Sequence, residues 1–221
     1  RALGAGAEEI DEQFDRWLRE KYPQPRVEEY RTAVGEARRM VAEGQYDEAE
    51  RRIAAVRDLF EGTDPAAPAV IARVELERGD TLAAMEALTR VAEIDENAYD
   101  ANVTLAELAA ARNDDEQLTA ALERVMYIFP YQADHHRRLA DAYARIGNAE
   151  GVVRERRAAV ALNPVDRAEA LYQLAVALRD AGERSEARTQ VIRALEAAPA
   201  FERAQELLLE PPAIGDVTRD G

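Results

Sequence analysis

The chain is 221 residues long, 47% hydrophobic and 33% charged, with a formal charge of -15 and no cysteine. So acidic a composition argues against nucleic acid, whose affinity comes from Lys and Arg neutralising phosphates, and against an anionic membrane surface. The missing cysteines exclude disulfides, thiolate zinc sites and cysteine nucleophiles, and they suit a soluble chain of either the cytoplasm or the periplasm.

In chain order, residues 7–22 (AEEIDEQFDRWLREKY) place Ile10, Phe14, Trp17, Leu18 and Tyr22 on one face of a helix. Pro23 and Pro25 stop it in a short stiff linker, so 1–29 is expected to be an N-terminal helix plus linker. A frame of 34 or 35 residues then recurs as 30–64, 65–98, 99–132, 133–167 and 168–201. In 168–201, Leu171, Leu174, Ala175 and Leu178 form the stripe of one helix and Gly182 breaks it. Ala187, Val191 and Ala194 form the stripe of a second helix, which Pro199 ends. One repeat earlier the landmarks are Leu139, Ala140, Tyr143, Gly147, Val152 and Ala159; before that, Leu105, Ala106, Asn113, Leu118, Leu122 and Val125. Asp64 ahead of Pro65, and Asp166 with Glu169, mark helix starts. Residues 202–221 are expected to hold a capping helix, with Phe201, Ala204, Leu207 and Leu208 covering the open end, and a disordered tail after Pro211 and Pro212.

The small residues are the specific part of the pattern. Ala37, Ala72, Ala106, Ala140 and Ala175 fall where the first helix of each unit meets the second, and Ala49, Ala84 and Ala187 face them. Small side chains let two helix axes approach while bulky neighbours fill the flanks. Gly44, Gly79, Gly147 and Gly182 sit at the turns, with Asn113 in the same place.

This register resembles the tetratricopeptide repeat over roughly three quarters of the chain. The resemblance implies an all-α, right-handed α-solenoid of about five helix-turn-helix repeats with N- and C-terminal capping helices. It also implies that the first (A) helices line a surface for an extended peptide or a helix. Candidates on that surface are Arg38, Arg73, Asp100, Glu107, Arg137, Asp141, Arg145, Tyr172 and Arg179, with Arg138 beside them. Arginine's planar fork holds a carboxylate with two parallel bonds, so the expected ligand is an acidic peptide or a C-terminal carboxylate. The two-carboxylate clamp of co-chaperone tetratricopeptide domains would fall at Val34, Arg38, Val70, Asp100 and Thr104, and none of these matches it.

Residues 2–22 are similar to a segment closing the catalytic domain of some bacterial gluzincin-like (peptidase-MA) metallopeptidases, on a Leu-Gly, a Phe and a Trp-Leu. Lys21 is the only lysine in a chain rich in arginine, a usage associated with GC-rich bacterial genes. That resemblance implies a C-terminal appendage of a longer enzyme, whose zinc-binding residues are not in this chain. The other possibility is an extra capping helix, with Phe14 and Trp17 packed on the first repeat.

Catalytic signals are missing from the sequence. His135 and His136 are the only histidines, and neighbours on a helix point about 100° apart, so they cannot grip one ion together. A packed His136 and a solvated His135 are expected. There is no HExxH, phosphate loop or nucleophile elbow. Asn113-Asp114-Asp115-Glu116 lacks the spacing of a calcium loop and reads as a turn and helix cap. The expectation is a protein-interaction scaffold without catalysis, cofactor or metal. The alternatives are the peptidase appendage and a self-assembling homo-oligomeric array.

Overall fold

The computed structural model describes residues 6–21, 24–59 and 62–210. Tyr22, Pro23, Glu61 and the residues from Pro211 onward lie outside them. All regular structure among the described residues is helical: α1 (Ala7–Lys21), α2 (Gln24–Ala42), α3 (Tyr46–Ala54), α4 (Ala66–Arg78), α5 (Thr81–Ile94) and α6 (Tyr99–Ala111). Then come α7 (Asp115–Ile128), α8 (Ala133–Arg145), α9 (Ala149–Ala161), α10 (Arg167–Asp180), α11 (Arg184–Ala197) and α12 (Glu202–Leu209). A 3-10 turn, Arg57–Leu59, follows α3.

The chain forms two compact units, Arg1–Thr104 and Leu105–Gly221, and the boundary falls inside α6. In the first unit α2 packs on α3 and α4, α3 on α4, and α4 on α5. In the second, α7 packs on α8, α8 on α9, α9 on α10, α10 on α11 and α11 on α12. The A helices α4, α8 and α10 are therefore each covered by their own B helix and by the B helix before it. The predicted small positions make that possible: Ala37, Ala49 and Ala84 in one unit, and Ala106, Ala140 and Ala175 in the other, are completely buried. Leu122, Leu139, Leu171 and Leu178 fill the space beside them, each worth about 1.5–3 kcal/mol of burial.

The A-to-B turns repeat one geometry. After α4 the Asp80 N–H donates to the Glu75 carbonyl (2.9 Å) and the Gly79 N–H to Leu76 (3.1 Å), which closes the helix through a left-handed residue. Gly79 sits at φ 78°, and Asn113 takes the same place after α6 at φ 56°. The next residue starts the B helix: Asp80, Asp114 and Asn148 accept from the N–H groups of Ala83, Gln117 and Gly151.

Helix starts match in part. Asp64 accepts from the Ala66 N–H (2.7 Å) and the Tyr30 hydroxyl (3.2 Å), tying the start of α4 to α2. Asp166 accepts from the Glu169 N–H (3.0 Å), but the Glu169 carboxylate turns to Gln173 (2.7 Å) and Arg203 (2.6 Å), so only half a capping box forms. Pro25 is not in a linker. It lies in the first turn of α2, where its missing N–H costs no helical bond.

The two ends differ. At the C-terminal end α12 buries Ala204, with Phe201 5.1 Å from the Tyr172 ring. At the N-terminal end Ile10, Phe14 and Trp17 are 38%, 56% and 46% exposed. Phe14 and Trp17 stack on each other, centroids 5.9 Å apart. On α2 the apolar residues Tyr30, Ala33, Val34 and Ala37 are buried inside the first unit, while Glu28, Glu29, Arg31, Thr32 and Gly35 are exposed. Gly35 is exposed with open space around its missing Cβ, so Gly35→Ala should stabilise the chain by about 0.8–1 kcal/mol in urea unfolding.

Candidate functional site

Arg38 on α2 and Arg73 on α4 flank a shallow depression of about 210 Å³, floored by Val41, Ala69 and Val70. The small side chain of Ala69 leaves room for it. This is below the roughly 300–1,000 Å³ of small-molecule sites and suits one large side chain of a partner. Arg38 is exposed and has no ion-pair partner among the described residues. Arg73 reaches Glu77 one turn on at 2.6 Å, an exposed pair worth only about 0.3–0.5 kcal/mol, so a ligand carboxylate can compete for it.

The other candidates sit differently. Asp100 and Glu107 are exposed on α6. In the second unit Arg137 pairs with Asp134, Arg145 with Asp115 (2.5 Å), and Arg179 with Asp180 (2.9 Å) and Glu210 (3.2 Å). Asp141 takes Arg156 (2.5 Å), and Tyr172 lies under the Arg203 guanidinium at 4.9 Å. Arg138 is half-buried without an ion pair. A second depression, about 580 Å³, opens beside α9, where Arg154 is bonded to Glu155 and Arg157 to Glu183 and Glu186. Among these candidates Arg38 is therefore the exposed arginine without an ion pair.

His136 is packed as expected, whereas His135 departs from its expected solvated position. Both are buried, His135 at 7% and His136 at 8% exposure, because α8 is covered on two sides by α7 and α9. His136 Nδ1 lies 2.7 Å from Glu155 Oε2, and Nε2 lies 3.0 Å from the Pro130 carbonyl. Arg154 donates to the other Glu155 oxygen (2.7 Å) and to the Tyr143 hydroxyl (2.9 Å), which donates to Glu123 (2.5 Å). Burial, then the bond to Glu123, raises the Tyr143 hydroxyl above its usual range. Among the described residues no group of three or more His, Asp or Glu side chains could hold a metal ion.

Burial, with Arg138 adding to it, holds His135 below the usual histidine value. The folded state then resists protonation that the unfolded state accepts, so this contribution to stability is present above about pH 6.5 and is lost as pH falls below it. Thermal unfolding at pH 7.5 and 5.5 should show the loss, and His135→Phe should make it smaller.

No family model matches the chain, and no curated protein matches its sequence. Solved structures do. YrrB, described as a TPR protein with an unusual peptide-binding site, superposes with TM-score 0.51 at 13% identity, covering 79% of this chain and 89% of its own. The chain has the tetratricopeptide fold. MamA is also similar, with TM-score 0.50 at 18% identity over 84% of this chain and 100% of that one. A MamA structure from AMB-1 gives 0.50 at 16%, over 86% and 94%.

In tetratricopeptide terms, Arg38 and Arg73 stand on the A helices of consecutive repeats, which is why two residues 35 positions apart meet around one depression. The Glu155 network lay beyond sequence reasoning. Glu155 stands on α9 and His136 on α8, and no spacing rule joins them. Among the described residues no helix is long and apolar enough to cross a membrane.

Proposed function

We propose that this chain is a protein-interaction module that receives an acidic segment of a partner on its A-helix surface, between Arg38 and Arg73. The observation that carries this is the depression itself. An exposed guanidinium without an internal partner and a weakly engaged one flank an apolar floor in an otherwise acidic chain. An acidic side chain meets the arginines and a neighbouring apolar one fills the floor, with affinity drawn from several shallow contacts on a preformed surface. The peptide-binding site described for YrrB accords with such a use of the fold.

The test uses a short labelled peptide of alternating Asp and Leu, with a Lys and Leu peptide as control. The acidic peptide should bind and the basic one should not. Arg38→Glu with Arg73→Glu should weaken binding at least about tenfold, or 1.4 kcal/mol, and Arg137→Glu with Arg138→Glu much less. Equal binding by all three proteins would sink the proposal.

The exposed face of α1 favours a second reading, in which the array is the appendage of a metallopeptidase and α1 packs on its catalytic domain. Reading the coding sequence upstream of Arg1 for an HExxH-bearing domain tests it.

A further inference from the structure

We infer that the acidic segment received between Arg38 and Arg73 is α1 of a second copy of this chain, an inference that rests on the groove function proposed above. Three observations meet here. First, α1 carries an apolar stripe, Ile10 and Phe14, that is exposed in its own chain. Second, Glu8, Asp11 and Asp15 recur at helical spacing along one border of that stripe, and only Asp15 engages a neighbour, Arg19 at 3.8 Å across an exposed pair. A ligand helix that offers one large apolar side chain beside a row of carboxylates matches a depression with an apolar floor between two guanidinium groups. Third, the depression holds about 210 Å³, enough for one side chain such as Phe14 and too little for a cofactor.

The association has to overcome the repulsion of two chains of charge -15, so it is local, short-ranged and dependent on the arginine contacts. It makes a heterologous contact, α1 of one copy on α2 and α4 of the next. Such a contact closes into a ring or dimer, or continues as a chain of copies, according to the rotation between them.

Trp17 is the only tryptophan, lies on α1 and stacks on Phe14, so its emission reports the environment of the docking helix directly. The experiment measures mass by light scattering, and Trp17 emission, across a concentration series of the intact chain. Mass should climb from 24.6 kDa to at least twice that value, and the emission should move to the blue over the same range. Glu8→Lys with Asp11→Lys should hold the chain at monomer mass, and so should Arg38→Glu with Arg73→Glu. These positions are exposed, so circular dichroism should show both variants folded. Mixing the two variants pairs the new lysines with the new glutamates and should restore association.

Monomer mass throughout the series would overturn the inference, as would a mixture that stays monomeric. If the acidic probe peptide still binds at Arg38 and Arg73 in that case, the groove function stands and only the identity of its partner falls.

Discussion

Glu155→Ala should lower the unfolding free energy by about 3 kcal/mol, the upper end of the cost of leaving a buried hydrogen-bonding group without its partner. The Glu155 side chain is 8% exposed and accepts from His136 at 2.7 Å and from Arg154 at 2.7 Å. Deleting it leaves the His136 Nδ1 buried without its acceptor. Arg154 loses less, because it is more than half exposed and keeps its bond to Tyr143. The effect should therefore come mainly from the histidine. A double-mutant cycle with His136→Ala checks this: the two losses should fall short of additivity by at least about 1 kcal/mol. Additive losses would mean that the pair contributes no coupling and that each side chain acts only by filling space.

Gly151→Ala should also destabilise, by about 2 kcal/mol, although helix propensity alone argues the opposite. Replacing a mid-helix glycine by alanine ordinarily gains about 0.8–1 kcal/mol, as expected for Gly35. At Gly151 the added Cβ would lie 2.7 Å from Tyr143 Cδ2 and 2.8 Å from Cγ. These atoms belong to the base and side of a buried ring, not to a flexible tip. The ring is also held by the hydroxyl's bond to Glu123 and by Arg154 stacked over its face at 5.3 Å. Forcing such a site apart costs about 1–3 kcal/mol beyond the lost propensity gain. The check is urea unfolding in two backgrounds. In the presence of Tyr143→Ala the same substitution should become neutral or stabilising. If it remains destabilising there, the clash with the ring is not the cause, and the approach to Asn148 Cγ at 3.0 Å is left to account for it.

The two glycines show what spacing can and cannot reveal. Gly147 was legible in the sequence because a left-handed turn residue recurs at a fixed place in each repeat. Gly151 carries no such mark, since its requirement comes from a tyrosine on another helix. The candidate site divides in the same way. Arg38 and Arg73 were legible as A-helix residues one repeat apart. That Arg145 is bound to Asp115, and Arg179 to Glu210, was not, because those partners come from other elements and face them only after packing. The solvated His135 failed for a related reason: helical periodicity describes one covered face, whereas α8 is covered on two.

The sequence by itself determined the repeat frame, the small residues at the helix crossings, the left-handed turns and the C-terminal cap. All of these depend on backbone conformation and on side-chain volume at fixed intervals, which are local properties. Only the tertiary structure decided that Arg38 stands without an ion pair while Arg145 and Arg179 are engaged, that α1 leaves Ile10 and Phe14 exposed, and that Glu155 joins His136 inside the second unit. Those outcomes depend on which side chains from distant helices share a direction and a few ångströms of space, and linear spacing does not contain that information.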